Sequence, residues 1–146
     1  MLEKPLGVIS SRGVEGVVLP RKLALEALQQ CSRPTPQPDP PGEKGIWEPS
    51  GREIERLERS LSDYVAAYAP TLSPGLASRL SQYRRQYIGI FQKEKKVVYV
   101  NLFLWDPRGD WRTHAVVVCD GGAAFWGIEF DLSTGTFANL FTNGEA

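Results

Sequence analysis

The stretch Phe125-Trp-Gly-Ile-Glu-Phe-Asp-Leu132 decides how the C-terminal half is read. Trp126, Ile128, Phe130 and Leu132 alternate with Gly127, Glu129 and Asp131. Successive side chains of a strand point to opposite faces, so the spacing predicts a strand with one buried and one polar face. Working outward, Tyr83–Gln92, Val97–Trp105, Arg112–Asp120 and Thr136–Thr142 are further strand-like runs. Val97–Trp105 is apolar on both faces, as a central strand is. Lys93-Glu-Lys-Lys96, Asp106-Pro-Arg-Gly-Asp110, Gly121-Gly122 and Ser133-Thr-Gly135 are turn signals. Together these predict an antiparallel meander of four or five strands.

The cover for the apolar face lies upstream. Ser50 is a good N-cap, and Glu53 follows at the capping-box spacing. Ile54, Leu57, Leu61, Tyr64, Val65 and Tyr68 then recur at helical intervals, with Arg52, Glu55, Arg56, Glu58 and Arg59 between them. This predicts a long amphipathic helix over Gly51–Ala69, ended by Pro70, with a weaker helical piece over Leu72–Gln82. Before it, Gly16-Val-Val-Leu19 reads as a short strand, and Arg21–Cys31 as a short amphipathic helix opening after Pro20. Pro34–Gly42 holds five prolines in nine residues and reads as an extended linker. Its Pro38-x-x-Pro41 pattern is read as part of a spacer. The expectation is an α+β fold: an N-terminal arm of residues 1–44, then a domain of residues 45–146 in which the long helix packs on the sheet.

Composition bounds the function. The 146 residues carry 17 Lys+Arg against 17 Asp+Glu. That neutral balance speaks against nucleic acid as a partner, because backbone binding needs a basic excess. No apolar run reaches the length of a membrane-spanning helix. The N-terminus has no basic n-region followed by a continuous apolar h-region, so the chain reads as cytosolic or as the mature part of an exported protein. One His and two Cys make a closed zinc site hard to build. No CxxC, HExxH, GxGxxG, GxxxxGK[ST] or GxSxG occurs, and no cofactor is implied.

One long helix followed by a curled antiparallel meander resembles the cystatin-like and nuclear-transport-factor-2-like folds, over roughly residues 47–146. The segments Arg85-Gln-Tyr-Ile-Gly-Ile90, Val98-Tyr-Val-Asn101, Cys119-Asp-Gly-Gly122, Phe125-Trp-Gly-Ile128 and Asn143-Gly-Glu-Ala146 look like those of a group of small bacterial proteins, many of them exported. That second resemblance supplies no catalytic residues. It bears on the cysteines. From the residues alone, Cys31 and Cys119 are either bridged, tying the arm to the sheet, or two buried thiols of a cytosolic protein. The exported look of that resemblance implies the bridge and a periplasmic or secreted location, with cytoplasmic as the alternative.

Other candidates are weighed one by one. Arg108-Gly-Asp110 is an adhesion-type tripeptide but also ordinary hairpin-loop chemistry. Asp106, Asp110, Asp120, Glu129 and Asp131 could serve acid–base work or Ca²⁺, yet they fall at turns or on a polar face. His114 has no marked nucleophile beside it and reads as structural. Arg84, Arg85, Lys93, Lys95 and Lys96 form a basic cluster that either docks an acidic surface or guards a sheet edge. Trp111, at the edge of its loop, is expected to be partly exposed. The expected function is non-enzymatic binding of a protein partner in the bacterial envelope, of inhibitor or immunity type, through Arg108, Asp110, Trp111, Lys95 and Lys96. The alternatives are a small-ligand or hydrolase-like pocket lined by Tyr87, Asn101, His114 and Glu129, and a structural accessory domain of an envelope assembly.

Overall fold

A computed structural model describes residues 8–11, 13–72 and 75–145. The elements in order are β1 (Val8–Ser11), β2 (Val14–Val18), α1 (Arg21–Ala27), β3 (Ile46–Trp47), α2 (Gly51–Leu72), α3 (Leu76–Arg79), β4 (Arg84–Gln92), β5 (Lys95–Phe103), β6 (Phe125–Asp131) and β7 (Thr136–Thr142). The fold is α+β with one long helix. The sheet runs β1-β2-β4-β5-β6-β7, with β3 also paired to β4. β4 to β7 form the expected antiparallel meander, but β2 lies parallel to β4, so the sheet as a whole is mixed.

The long helix starts as its cap predicts. The Ser50 N–H donates to the Glu53 carboxylate at 2.8 Å, and the Glu53 N–H donates back to the Ser50 hydroxyl at 3.2 Å. Ile54, Leu57, Leu61 and Val65 are buried against Tyr87, Val98, Val100, Leu102, Trp126, Ile128 and Phe130. The helix continues past Pro70 to Leu72. A proline there removes a single backbone donor, and the four buried apolar positions hold the helix from upstream. The weaker piece becomes α3 and a short 3-10 turn over Leu80–Gln82.

The opposite face of the sheet is covered too, which the alternation of Phe125–Leu132 did not announce. β2 adds Val17, and Leu19 follows it. α1 turns Ala24 and Ala27 inward, with Leu28 beyond them, against Ile88, Ile90, Tyr99 and Phe103. The proline-rich stretch is extended as expected and lies on this face: Pro36 and Pro38 are buried, and the Asp39 N–H donates to the Phe91 carbonyl at 2.8 Å. Residues assigned to the arm thus contribute two strands, β1 and β2, and a core layer to the same sheet. Gly127 sits under the Tyr99 ring, where an added Cβ would collide with the phenol. The Gly127→Ala variant should lose about 2 kcal/mol in urea unfolding, because Tyr99 is held in place and overpacking forces backbone shifts.

One expected strand is absent. Arg112–Asp120 has no ladder partner, and β5 pairs directly with β6 from Val97↔Asp131 to Phe103↔Phe125. Instead the segment crosses the second face, held by side chains of the sheet. Gln86 donates to the Trp111 and His114 carbonyls at 2.8 and 2.7 Å, and accepts the Val116 N–H at 3.0 Å. Asn101 donates to the Val116 carbonyl at 2.9 Å. Two buried amides do the work that a neighbouring strand would do for those backbone groups.

Candidate binding cleft

Two buried polar clusters shape the molecule, the first of them beside a smaller cavity of about 280 Å³. On the α2 side, Arg85 is fully buried. Its guanidinium bonds the Glu58 carboxylate at 3.0 and 3.2 Å, and also bonds the carbonyls of Leu80 and Tyr83. The Tyr87 hydroxyl donates to the same carboxylate at 2.7 Å. Burial, and then the Glu58 charge, push the Tyr87 phenol well above its ordinary range, so it stays a donor. On the other side, Arg33 bonds the Tyr99 hydroxyl, Asn143 and Asn101. Asn143 in turn donates to the Val118 and Asp120 carbonyls at 2.7 and 2.8 Å. This network surrounds the Cys31–Cys119 disulfide, whose Cα atoms lie 5.3 Å apart. In both clusters the charged and amide groups are matched inside the protein.

The four residues expected to share a pocket do not converge. Tyr87 faces α2, whereas Asn101 faces the opposite side in the Arg33 network. His114 is buried at the base of a loop, its Nε2 3.1 Å from the Asp106 carboxylate. Glu129 lines an open cavity whose lining includes none of the other three.

The loop expected to bind is divided. Asp106 organises it, accepting the N–H groups of Arg108 and Asp110 at 3.0 Å each. Arg108 and Asp110 are exposed at its tip. Trp111 is not: it is 6% exposed, and the expectation of a partly exposed tryptophan is corrected. Its ring meets Phe103 edge to face at 5.9 Å, and the Arg112 guanidinium lies over it at 4.3 Å. Both Arg112 and Arg84 approach Glu15, which fixes these arginines beside the ring. Trp111 anchors its segment to the second face, so a Trp111→Ala variant would report packing and not contact with a partner.

The basic hairpin borders the one cavity that gathers residues from both sets of candidates. Lys93 and Glu94 take positive φ angles of 50° and 70°, the conformation of a tight two-residue hairpin turn. Lys93, Lys95 and Lys96 are exposed, and the Lys96 ammonium lies 5.0 Å over Trp47. Beyond the hairpin, past Asp39, an open cleft of about 490 Å³ remains on the second face of β5, β6 and β7. Lys93 and Lys95 form one wall, Glu129 and Asp131 the floor, and Thr136 and Ala138 the outer side. Lys95 and Glu129, expected in different sites, thus line the same one; Lys96 packs on Trp47 beside it.

The two floor carboxylates differ. Desolvation raises Glu129 above the usual 4.5, partly offset by Asn139, whose amide donates to it at 2.9 Å. Hydrogen bonds from Ser133 hold Asp131 below the usual 3.8. For Glu129 the sign is set by its native state holding the proton more tightly than the unfolded chain. Its ionisation therefore costs stability above the raised value, and the cost fades as pH falls through that value toward 4.5. The Glu129→Gln variant should melt no lower than the wild type at pH 7. Any advantage should vanish as the pH drops below the usual value, which melts across a pH series would check.

Among the described residues no group of three His, Cys, Asp or Glu side chains is placed to hold a metal ion. Sequence reasoning had grouped Arg85 with the surface lysines and had passed over Arg33, Gln86 and Asn143. A cation inside the apolar run from Tyr83 to Ile90 was the available signal for Arg85; nothing local marked the others. A comparison with protein-family models, curated proteins and solved structures finds no match for the chain.

Proposed function

We propose that this chain is a non-enzymatic binding protein of the bacterial envelope, of inhibitor or immunity type, that holds a protein partner at the cleft beside its basic hairpin. The observation that carries the reading is the lining of that cleft. Lys93 and Lys95 on one side and Glu129 and Asp131 on the other have no task in either core, yet they face one open concavity. Opposite charges on two walls fix the orientation of an incoming surface and speed encounter. Exposed Arg108 and Asp110 remain on their rigid loop as a further contact. The disulfide supports an oxidising compartment, where such bridges persist. The cystatin-like likeness, which rests on α2 lying over the meander, belongs to the same proposal.

The test is a partner captured from an envelope extract of the source bacterium and then purified. The double charge reversal Lys93→Glu with Lys95→Glu should weaken its binding at least tenfold in a surface-binding titration, an effect that shrinks in high salt. The melting temperature should move little, because both lysines are exposed. Unchanged affinity would remove the cleft as the partner site.

A further inference from the structure

The outer side of the cleft is also the end of the sheet. Among the described residues β7 pairs with β6 alone, so its other edge offers unpaired N–H and C=O groups. Natural edges are guarded by charge, proline or a bulge, and Thr136-Phe-Ala-Asn-Leu-Phe-Thr142 has neither charge nor proline. A bulge interrupts the ladder between Gly127 and Glu129, where Asn139 takes a φ of 57°. Of the two regular stretches that flank the bulge, Thr136–Ala138 is the longer and the one that borders the cleft.

The register gives this edge a chemical preference. Ala138 lies directly opposite Glu129. A strand added outside β7 would lie about 4.8 Å further out in the same row. A side chain on it opposite Ala138 would cross a single methyl group to reach the carboxylate. The stem of a lysine or arginine spans that distance, and its head matches the charge.

We infer that the cleft receives the basic side chain of an extended segment of a partner protein, which pairs with the free edge of β7 at Thr136–Ala138 and is accepted by Glu129. This inference rests on the reading of the cleft as a partner site. A second copy of the chain fits less well, because β7 has no basic residue to offer Glu129. The mode is strand addition: main-chain bonds hold the segment, and the pocket beside them selects the side chain.

The probe is a library of short random peptides displayed on phage and selected against the full chain, with enriched peptides titrated by calorimetry. Enriched sequences should carry a lysine or arginine for Glu129 and an acidic residue that meets Lys93 and Lys95, on a stretch of uncharged strand-forming residues. Replacing that residue by norleucine should weaken binding at least tenfold. The same replacement should have almost no effect on the Glu129→Gln variant. Ala138→Arg places a guanidinium of the chain's own in the path and should abolish binding; Ala138 is exposed, so this variant should fold. No enrichment, or enrichment of peptides without a basic residue, would overturn the inference. So would a concentration-dependent dimer in sedimentation that Ala138→Arg dissolves, which would make the occupant a second copy. If a purified partner is weakened by the Lys93/Lys95 reversal but not by Ala138→Arg, strand pairing fails while the cleft reading stands.

Discussion

Removing the disulfide by the double change Cys31→Ser with Cys119→Ser should cost about 4 kcal/mol in urea unfolding and lower the melting temperature by roughly 10 °C or more. The bridge closes a loop with a sequence separation of 88, so its effect lies mainly in the unfolded chain, which loses freedom when the ends are tied. The native joint should survive. Both cysteines are exposed, and Arg33 still bonds Tyr99, Asn101 and Asn143 across the same seam. The Gly144 N–H also donates to the Ser32 hydroxyl at 2.8 Å. The variant should therefore keep the wild-type near-ultraviolet circular dichroism while unfolding earlier. A loss below about 1 kcal/mol would show that loop closure is not what the bridge contributes.

The second large effect is expected at Arg85. Arg85→Ala should destabilise by about 3–5 kcal/mol, the usual cost of leaving one partner of a buried ion pair without the other. Glu58 would keep only the Tyr87 hydroxyl, and the Leu80 and Tyr83 carbonyls would lose their donor. The double change Arg85→Met with Glu58→Gln should recover a large part of the loss. It removes both charges, keeps the volume close, and leaves an amide oxygen to accept from Tyr87. Urea titrations of the single and double variants would measure this. Equal losses in both would show that the two carbonyl contacts, and not the ion pair, dominate.

These two sites mark the boundary of what could be read without coordinates. Cys31 and Cys119 were visible as a pair, yet their residues admitted a bridge or two thiols until the fold set them 5.3 Å apart. Arg85 looked like one member of a basic surface cluster because its neighbours Arg84, Lys93, Lys95 and Lys96 are basic. Strand alternation separates it from Arg84: Arg85 enters the α2 core, and Arg84 stays half-exposed beside Trp111. Trp111 failed for a related reason. A tryptophan after Gly-Asp reads as loop edge, and Phe103, Arg84 and Gln86, all distant in sequence, turn it inward.

Sequence alone determined what depends on short-range periodicity and local backbone chemistry. The capped helix from Gly51, the turn at Lys93-Glu94, the strands β4 to β7 and the burial of Trp126 all follow from spacing, capping and turn residues, which act over a few positions. Tertiary structure decided which sheet face needed a second cover, and it did so through contacts between residues far apart in the chain. β2 takes the parallel place beside β4, α1 and the prolines settle on the second face, and Gln86 and Asn101 capture the Arg112–Asp120 segment that reads as a strand-like run between turns. The cleft is what that cover leaves open. The proline-rich segment borders it only at Asp39, whose N–H is tied to the Phe91 carbonyl, so its boundary is set by packing and not by any motif.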